Sequence, residues 1–292
     1  MSDAGRAATE AVLTEALDDV PATLREPCRR LAHAGGERLR AGLVLAVAGR
    51  AWPGTSRRTA TAAAAVELLH LATLVHADLR DDVPVRGGVP TANAKEGPAV
   101  ALLAGDVLLG LAHRLAAIAG TAGLLGDALV DLCAGQALEA EHRFDADLSE
   151  AGALRVAELR SGTLFAAAAR AGAIVTGAPQ DGLDAYGRAF GTAVQLLDDV
   201  LEPAADFAKG VVTVPAVHSL AAHPPLRAMM RRELDDSHHK LLCSGVPATL
   251  ATVDSLIDEA AAVRPDLAEP ARRYRDSRLA LVLPRYRSLL SS

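Results

Sequence analysis

The 292-residue sequence predicts an all-α protein, folded as one helical bundle. Two observations carry this expectation. Half of the residues are apolar, with alanine the commonest, joined by leucine, arginine and glutamate; these are helix formers, and they recur at three- and four-residue spacing with little β-branched alternation. Turn signals also divide the chain into stretches of helix length: His33-Ala34-Gly35-Gly36, Trp52-Pro53-Gly54, Val85-Arg86-Gly87-Gly88-Val89-Pro90, Gly120 to Gly126, Thr176-Gly177-Ala178-Pro179, His223-Pro224-Pro225, Gly245-Val246-Pro247 and Arg264-Pro265. No break is a long linker and no fixed-period repeat intervenes, so residues 1–292 read as a single domain.

Two of these stretches stand apart. Thr59 to His76 and Asp184 to Leu201 are apolar nearly all round, which places them at the centre of a bundle. Each ends in carboxylates. The first cluster is Leu74-Val75-His76-Ala77-Asp78-Leu79-Arg80-Asp81-Asp82, and the second is Gln195-Leu196-Leu197-Asp198-Asp199-Val200-Leu201-Glu202.

The remaining composition narrows the function. A formal charge of -6 leaves no basic excess for a nucleic-acid backbone, so none is expected as a partner. Glu67 interrupts the best apolar window, Thr59 to Val75, and the N-terminus MSDAGRAATEAV lacks a basic-then-apolar leader, so no transmembrane segment and a cytoplasmic location are expected. Cys28, Cys133 and Cys243 are widely spaced and show no metal-ligand pattern, and are expected as small buried hydrophobes.

Carboxylates at the end of an apolar run are costly to desolvate unless a cation compensates them, and residues four apart share a helix face. Two such faces opposite each other would make a magnesium site. Mg2+ takes one or two carboxylates, waters and phosphate oxygens, which suits an enzyme acting on a diphosphate ester.

The motifs then become specific. Val66 to Leu109, VELLHLATLVHADLRDDVPVRGGVPTANAKEGPAVALLAGDVLL, contains the first cluster. In order along the chain lie Gly35-Gly36 with Arg38 and Arg40, then Gly135-Gln136, then Arg160-Ser161-Gly162-Thr163-Leu164-Phe165, then QLLDDVLE, and then Gly210-Val211-Val212-Thr213-Val214-Pro215. Across roughly residues 30 to 220, with a helical tail beyond, the chain resembles the trans-prenyl diphosphate synthase (polyprenyl synthetase) family.

That resemblance implies a helical bundle around a central cavity, Mg2+ as cofactor, an allylic prenyl diphosphate as substrate, and a homodimer or a heterodimer with an intact synthase. It implies metal-binding roles for Asp78, Asp81, Asp82, Asp198, Asp199 and Glu202. Asp81, Asp198 and Arg160 stand in the catalytic positions, and Arg40, His70, Arg86, Arg160, Ser161 and Gln195 in those that bind substrate.

The chain also departs from the family pattern. The family's first motif, DDxxD, has Ala77 and Asp81 at its metal-binding positions, while Asp78 and Asp82 keep the four-residue spacing about 100° around the helix. Glu37 and Gly87 stand where family cations meet isopentenyl diphosphate, so an attraction becomes a repulsion and a bidentate partner is lost. The stretch after the second motif, Pro203 to Val211, is shortened, and Val211 replaces a lysine. Small residues at Ala72 and Thr73 imply room for a long chain.

Three functions follow from this mixture: a prenyltransferase acting on an allylic diphosphate, a non-catalytic partner of an intact synthase, or a single-substrate cyclase or diphosphate lyase. An aromatic content of 3% argues against cyclisation, because ring faces stabilise carbocations.

Overall fold

The structure, a computed structural model, describes residues 3–34, 36–51, 56–201, 203–230 and 234–291. Gly35, Trp52-Pro53-Gly54 and Glu202 lie outside the described residues.

The described residues are mostly helical. It forms α1 (Asp3–Asp18), α2 (Ala22–His33), α3 (Leu39–Ala51), α4 (Arg57–Arg80), a two-stranded hairpin of β1 (Val85–Arg86) and β2 (Val89–Pro90), then α5 (Ala92–Glu96), α6 (Pro98–Ala119) and α7 (Ala122–Glu141). There follow α8 (Glu150–Ala157), a π-turn at Glu158–Gly162, α9 (Thr163–Thr176), α10 (Leu183–Asp199), α11 (Pro203–Ala208), α12 (Val214–Ala222), α13 (Asp236–Leu242), α14 (Val246–Val263) and α15 (Ala268–Ser291). Among the described residues the hairpin is the whole of the β structure, with Val85 opposite Pro90 and Arg86 opposite Val89.

The predicted break at Gly120 to Gly126 is narrower than expected. Gly120 ends α6 in the left-handed conformation at φ 80°, but α7 starts at Ala122 and runs through Gly123 and Gly126. Contacts group the chain into two compact units, Met1–Leu129 with Ala167–Asp181, and Val130–Ala166 with Gly182–Ser292.

In the first unit α4 is the central helix. Ser56 caps it by accepting from the Thr59 amide, and nearly every side chain from Thr59 to Ala72 is buried. α6 packs along α4, and α3 and α1 cover other faces. Gly105 permits the close approach of α6, since a Cβ there would fall 2.1 Å from the His76 ring. Glu67, the one charge within this run, is compensated: it accepts from the Ala41 amide at 3.0 Å and pairs with Arg38 at 3.6 Å. Arg38 adopts φ 51° and also binds Glu10 and the Ala32 carbonyl, so one buried cation ties α1, α2 and α4 together.

By length and composition alone, three stretches are apolar enough to cross a membrane: Arg57–Arg80, Pro98–Ala119 and Asp236–Val263. In the first of these 72% of the apolar window is buried within the protein, where the neighbouring helices already cover it.

In the second unit α10 is central, packed on α14 and the π-turn. Gly187 and Gly191 make this possible, because a Cβ on Gly187 would lie 2.3 Å from the Ala166 Cα and one on Gly191 would lie 2.8 Å from Gly162. Around them Phe165, Tyr186, Phe190 and Tyr274 stack, with the Phe165 and Phe190 rings edge to face at 5.3 Å, and the Tyr186 hydroxyl donates to the Leu267 carbonyl. A satellite core of Phe207, Val212, Ala216, Leu220, Leu226 and Leu242 holds α11 to α13 together. The turn after α7 is tied to it by Phe144, at φ 62°, whose amide donates to the Gly210 carbonyl and whose ring lies over Gly210.

Cys28 and Cys243 are buried as expected; Cys133 instead is exposed on α7.

Candidate functional site

The first carboxylate cluster closes α4. The helix ends at Arg80, Asp81 is its cap, and Asp82 turns left-handed at φ 48°. Asp78 and Asp82 therefore do not stack on one helix face as their spacing implied, because the helix stops between them. Asp78 is buried and ion-paired with Arg86, while Asp81 pairs with the adjacent Arg80 and Asp82 accepts from the Asn93 amide at 2.7 Å. The hairpin that carries Arg86 thus folds a cation back onto Asp78.

Two turns up α4 from Asp78, His70 Nε2 lies 3.3 Å from Nη1 of Arg40 on α3. Burial first, and then Arg40, Arg86 and Arg38, hold the His70 pKa well below its ordinary 6.5. The imidazole is therefore neutral and accepts from Arg40. Glu37 is exposed, and Gly87 takes φ 56° at the hairpin turn, a conformation that favours glycine over an arginine.

The second cluster closes α10. Gln195 donates to Asp199 at 2.8 Å, and Asp198 accepts from Arg278 of α15 at 3.2 Å. Arg278 is in turn held by the Tyr274 hydroxyl and lies over its ring. Asp199 is buried, and that burial, with the nearby Asp206, pushes its pKa up to about 8 against the Gln195 hydrogen bond and the Arg160 charge.

Arg160 and Ser161 project from the π-turn, a departure from α-helical geometry common at functional positions. Gly135 lets α7 approach that turn, since a Cβ there would fall 2.7 Å from Leu159 and 3.0 Å from the Arg160 amide. One turn along α7 from Gly135, Glu139 forms an ion pair with Arg160 while only 6% exposed. A small cavity of about 20 Å³ opens here, walled by Glu139, His142, Arg160, Gln195, Asp199 and Thr213 among others.

The structure therefore places Arg160, Gln195 and Asp199 on one cavity, and Asp78 with Arg86 on another that also touches Val75 and Thr91. Glu139 and Arg278 were not anticipated. Their partners lie 21 and 80 residues away, and only the Gly135-Gln136 motif beside Glu139 hints at either.

Among the described residues no three His, Cys, Asp or Glu side chains form a cluster able to hold a metal with protein ligands alone. Mg2+ does not require one, because waters and phosphate oxygens complete its shell. The second cluster offers such an ion a buried carboxylate: the charges of Asp206 and Asp198 act on Asp199, which has too little positive charge to stay ionised on its own. In the first cluster Arg86 and Arg80 occupy Asp78 and Asp81, as Arg278 occupies Asp198 in the second.

A predominantly helical chain with carboxylates closing two apolar helices, and a cavity lined by Arg160, has the parts of an isoprenoid-synthase-like protein. Residues 21–241 match the polyprenyl synthetase family model, and the chain belongs to that family. It is 32% identical over 290 residues to the nonaprenyl diphosphate synthase of Mycobacterium tuberculosis, covering 91% of this chain and 86% of the relative. Among solved structures it is similar to a decaprenyl diphosphate synthase from Rhodobacter capsulatus, with TM-score 0.84, 29% identity, and 97% of this chain and 96% of the other covered. It is similar also to a polyprenyl synthase from Caulobacter crescentus complexed with calcium and isoprenyl diphosphate, with TM-score 0.87, 28% identity, and coverage of 95% and 94%. These findings fit an enzyme of isoprenoid biosynthesis, a prenyltransferase, and do not favour the non-catalytic or single-substrate alternatives.

Proposed function

We propose that this protein activates an allylic prenyl diphosphate with Mg2+ and transfers the prenyl group to an acceptor. The observation that carries the reading is the cavity of the second cluster, where Arg160 stands beside the buried, undercompensated Asp199. Asp198 and Asp199, with Glu202, would hold Mg2+, and the resemblance adds Asp78, Asp81 and Asp82. When bound, the ion draws negative charge off the departing diphosphate.

The chain's own residues do the rest. Arg160 supplies a fixed cation for the diphosphate, since Glu139 holds its guanidinium in place. Gln195 orients the Asp199 carboxylate. Arg86 and the Arg40–His70 pair are the remaining substrate-binding groups, the neutral imidazole leaving the positive charge on Arg40. Exposed Glu37 and left-handed Gly87 argue for an acceptor other than isopentenyl diphosphate, whose family site needs cations at both positions. A cytoplasmic enzyme, paired with itself or with an intact synthase, completes the reading.

The test is to incubate the pure protein and Mg2+ with geranyl, farnesyl and geranylgeranyl diphosphates, with and without labelled isopentenyl diphosphate. Mg2+-dependent diphosphate release that disappears in Asp198→Asn/Asp199→Asn, with the prenyl group recovered on an acceptor, is the expected result, whereas release that leaves only a prenyl alcohol or hydrocarbon would favour the single-substrate reading. Efficient ordinary elongation would refute the altered acceptor, and no release from any substrate would refute the activity. If the protein is silent alone but shifts the product length of an added intact synthase, the subunit reading replaces this one.

A further inference from the structure

We propose that Thr213 is a diphosphate-binding residue, its hydroxyl donating to a phosphoryl oxygen at the mouth of α12; this rests on the allylic diphosphate reading above. Thr213 lines the same cavity as Arg160, Gln195 and Asp199, is 8% exposed, and its Oγ1 has no hydrogen-bond partner.

The absence of a partner needs a reason. Thr213 is the N-cap of α12, where a threonine hydroxyl ordinarily accepts from an amide of the first turn. Here it makes no capping bond, and Pro215 in that turn has no amide hydrogen to offer. A buried hydroxyl left unpaired is destabilising, so it calls for a partner from outside the chain, a water or a ligand.

The surroundings select the ligand. An aligned helix N-terminus favours negative charge, and the Arg160 cation lies on the same cavity wall. The backbone leading to Thr213 is fixed, because Val212 is buried in the satellite core with Phe207. Val211, two residues earlier, lines the cavity but offers only methyl groups where the family pattern has a lysine. The hydroxyl of Thr213 is thus a neutral donor standing close to a lost cation.

Calorimetry with inorganic diphosphate and Mg2+, beside the KM for geranylgeranyl diphosphate, tests this. Thr213→Val keeps the shape and removes the donor; Thr213→Ser keeps the donor. The valine variant should bind inorganic diphosphate about tenfold more weakly, as for a lost charge-assisted hydrogen bond, with an unchanged or higher Tm, and the serine variant should stay within about twofold of the parent. Parental binding by Thr213→Val overturns the proposal, as does equal weakening in both variants with a lowered Tm, which marks a packing role. If the parent binds inorganic diphosphate and Thr213→Val does not, yet no allylic substrate is turned over, the Thr213 assignment stands while the transferase reading falls. If the parent binds no diphosphate, both fall.

Discussion

Arg86 grips the buried Asp78 carboxylate through two nitrogens, Nη2 at 2.6 Å and Nε at 2.8 Å from Oδ1. A cation on the hairpin is thereby tied to the last full turn of α4. Removing Arg86 leaves the Asp78 charge buried and unpaired, which costs more than removing both. Arg86→Met should lower stability by about 2 kcal/mol in urea unfolding, and Asp78→Asn/Arg86→Met should recover part of that loss. A double variant no more stable than the single would show that the pair does not couple.

Asp199 gives a pH signature. Its folded-state pKa, about 8 against an ordinary 3.8, means that the native protein holds a proton which the unfolded chain has already released. Stability from this group is full below the lower value and declines as pH rises through the window between them. In metal-free buffer, Asp199→Asn should therefore match the parent in acid and exceed it in Tm near pH 8. Added Mg2+ should raise the Tm of the parent at the alkaline end and leave that of the variant nearly unmoved.

His70 runs the other way. Its pKa is depressed, so stability from the neutral ring is present above its ordinary 6.5 and falls away as pH drops through and below that value. NMR should find the ring unprotonated at pH 6.5, and His70→Gln should flatten the acid limb of the stability profile. A ring that is already cationic at that pH would contradict the Arg40 contact.

Gly187 sets the distance between α10 and the start of α9. A methyl group there would sit 2.3 Å from the Ala166 Cα, and backbone atoms cannot rotate aside as a side chain can. Gly187→Ala should cost about 2 kcal/mol through overpacking, despite the better intrinsic helix propensity of alanine. A stabilised variant would mean that the helices separate readily.

The sequence made the helical class plain, because alanine- and leucine-rich runs such as Thr59 to Ala72 can bury themselves only as helices packed on helices. It overread Gly123 and Gly126, which lie inside α7 with open space beside them and so cost propensity without breaking the helix. In the site, the acidic clusters stood out as chemistry out of place on apolar runs, and the family resemblance pointed to Arg160. What cancels them did not. Arg278 reaches Asp198 from 80 residues away, and Glu139 reaches Arg160 from 21, contacts that only the packed fold creates. Spacing also misjudged Asp82, since four residues mark one face only while the helix lasts, and α4 ends at Arg80.

The contact of Phe144 with Gly210 bears on how tightly any ligand can be held. Gly210 takes φ 79°, its missing side chain admits the aromatic ring, and Phe207 anchors the same short segment from below. The segment from Phe207 to Gly210 is thus held by contacts within the chain itself. Binding then loses little conformational entropy at this wall, so affinity here reflects the contacts themselves with little offset for arranging the loop.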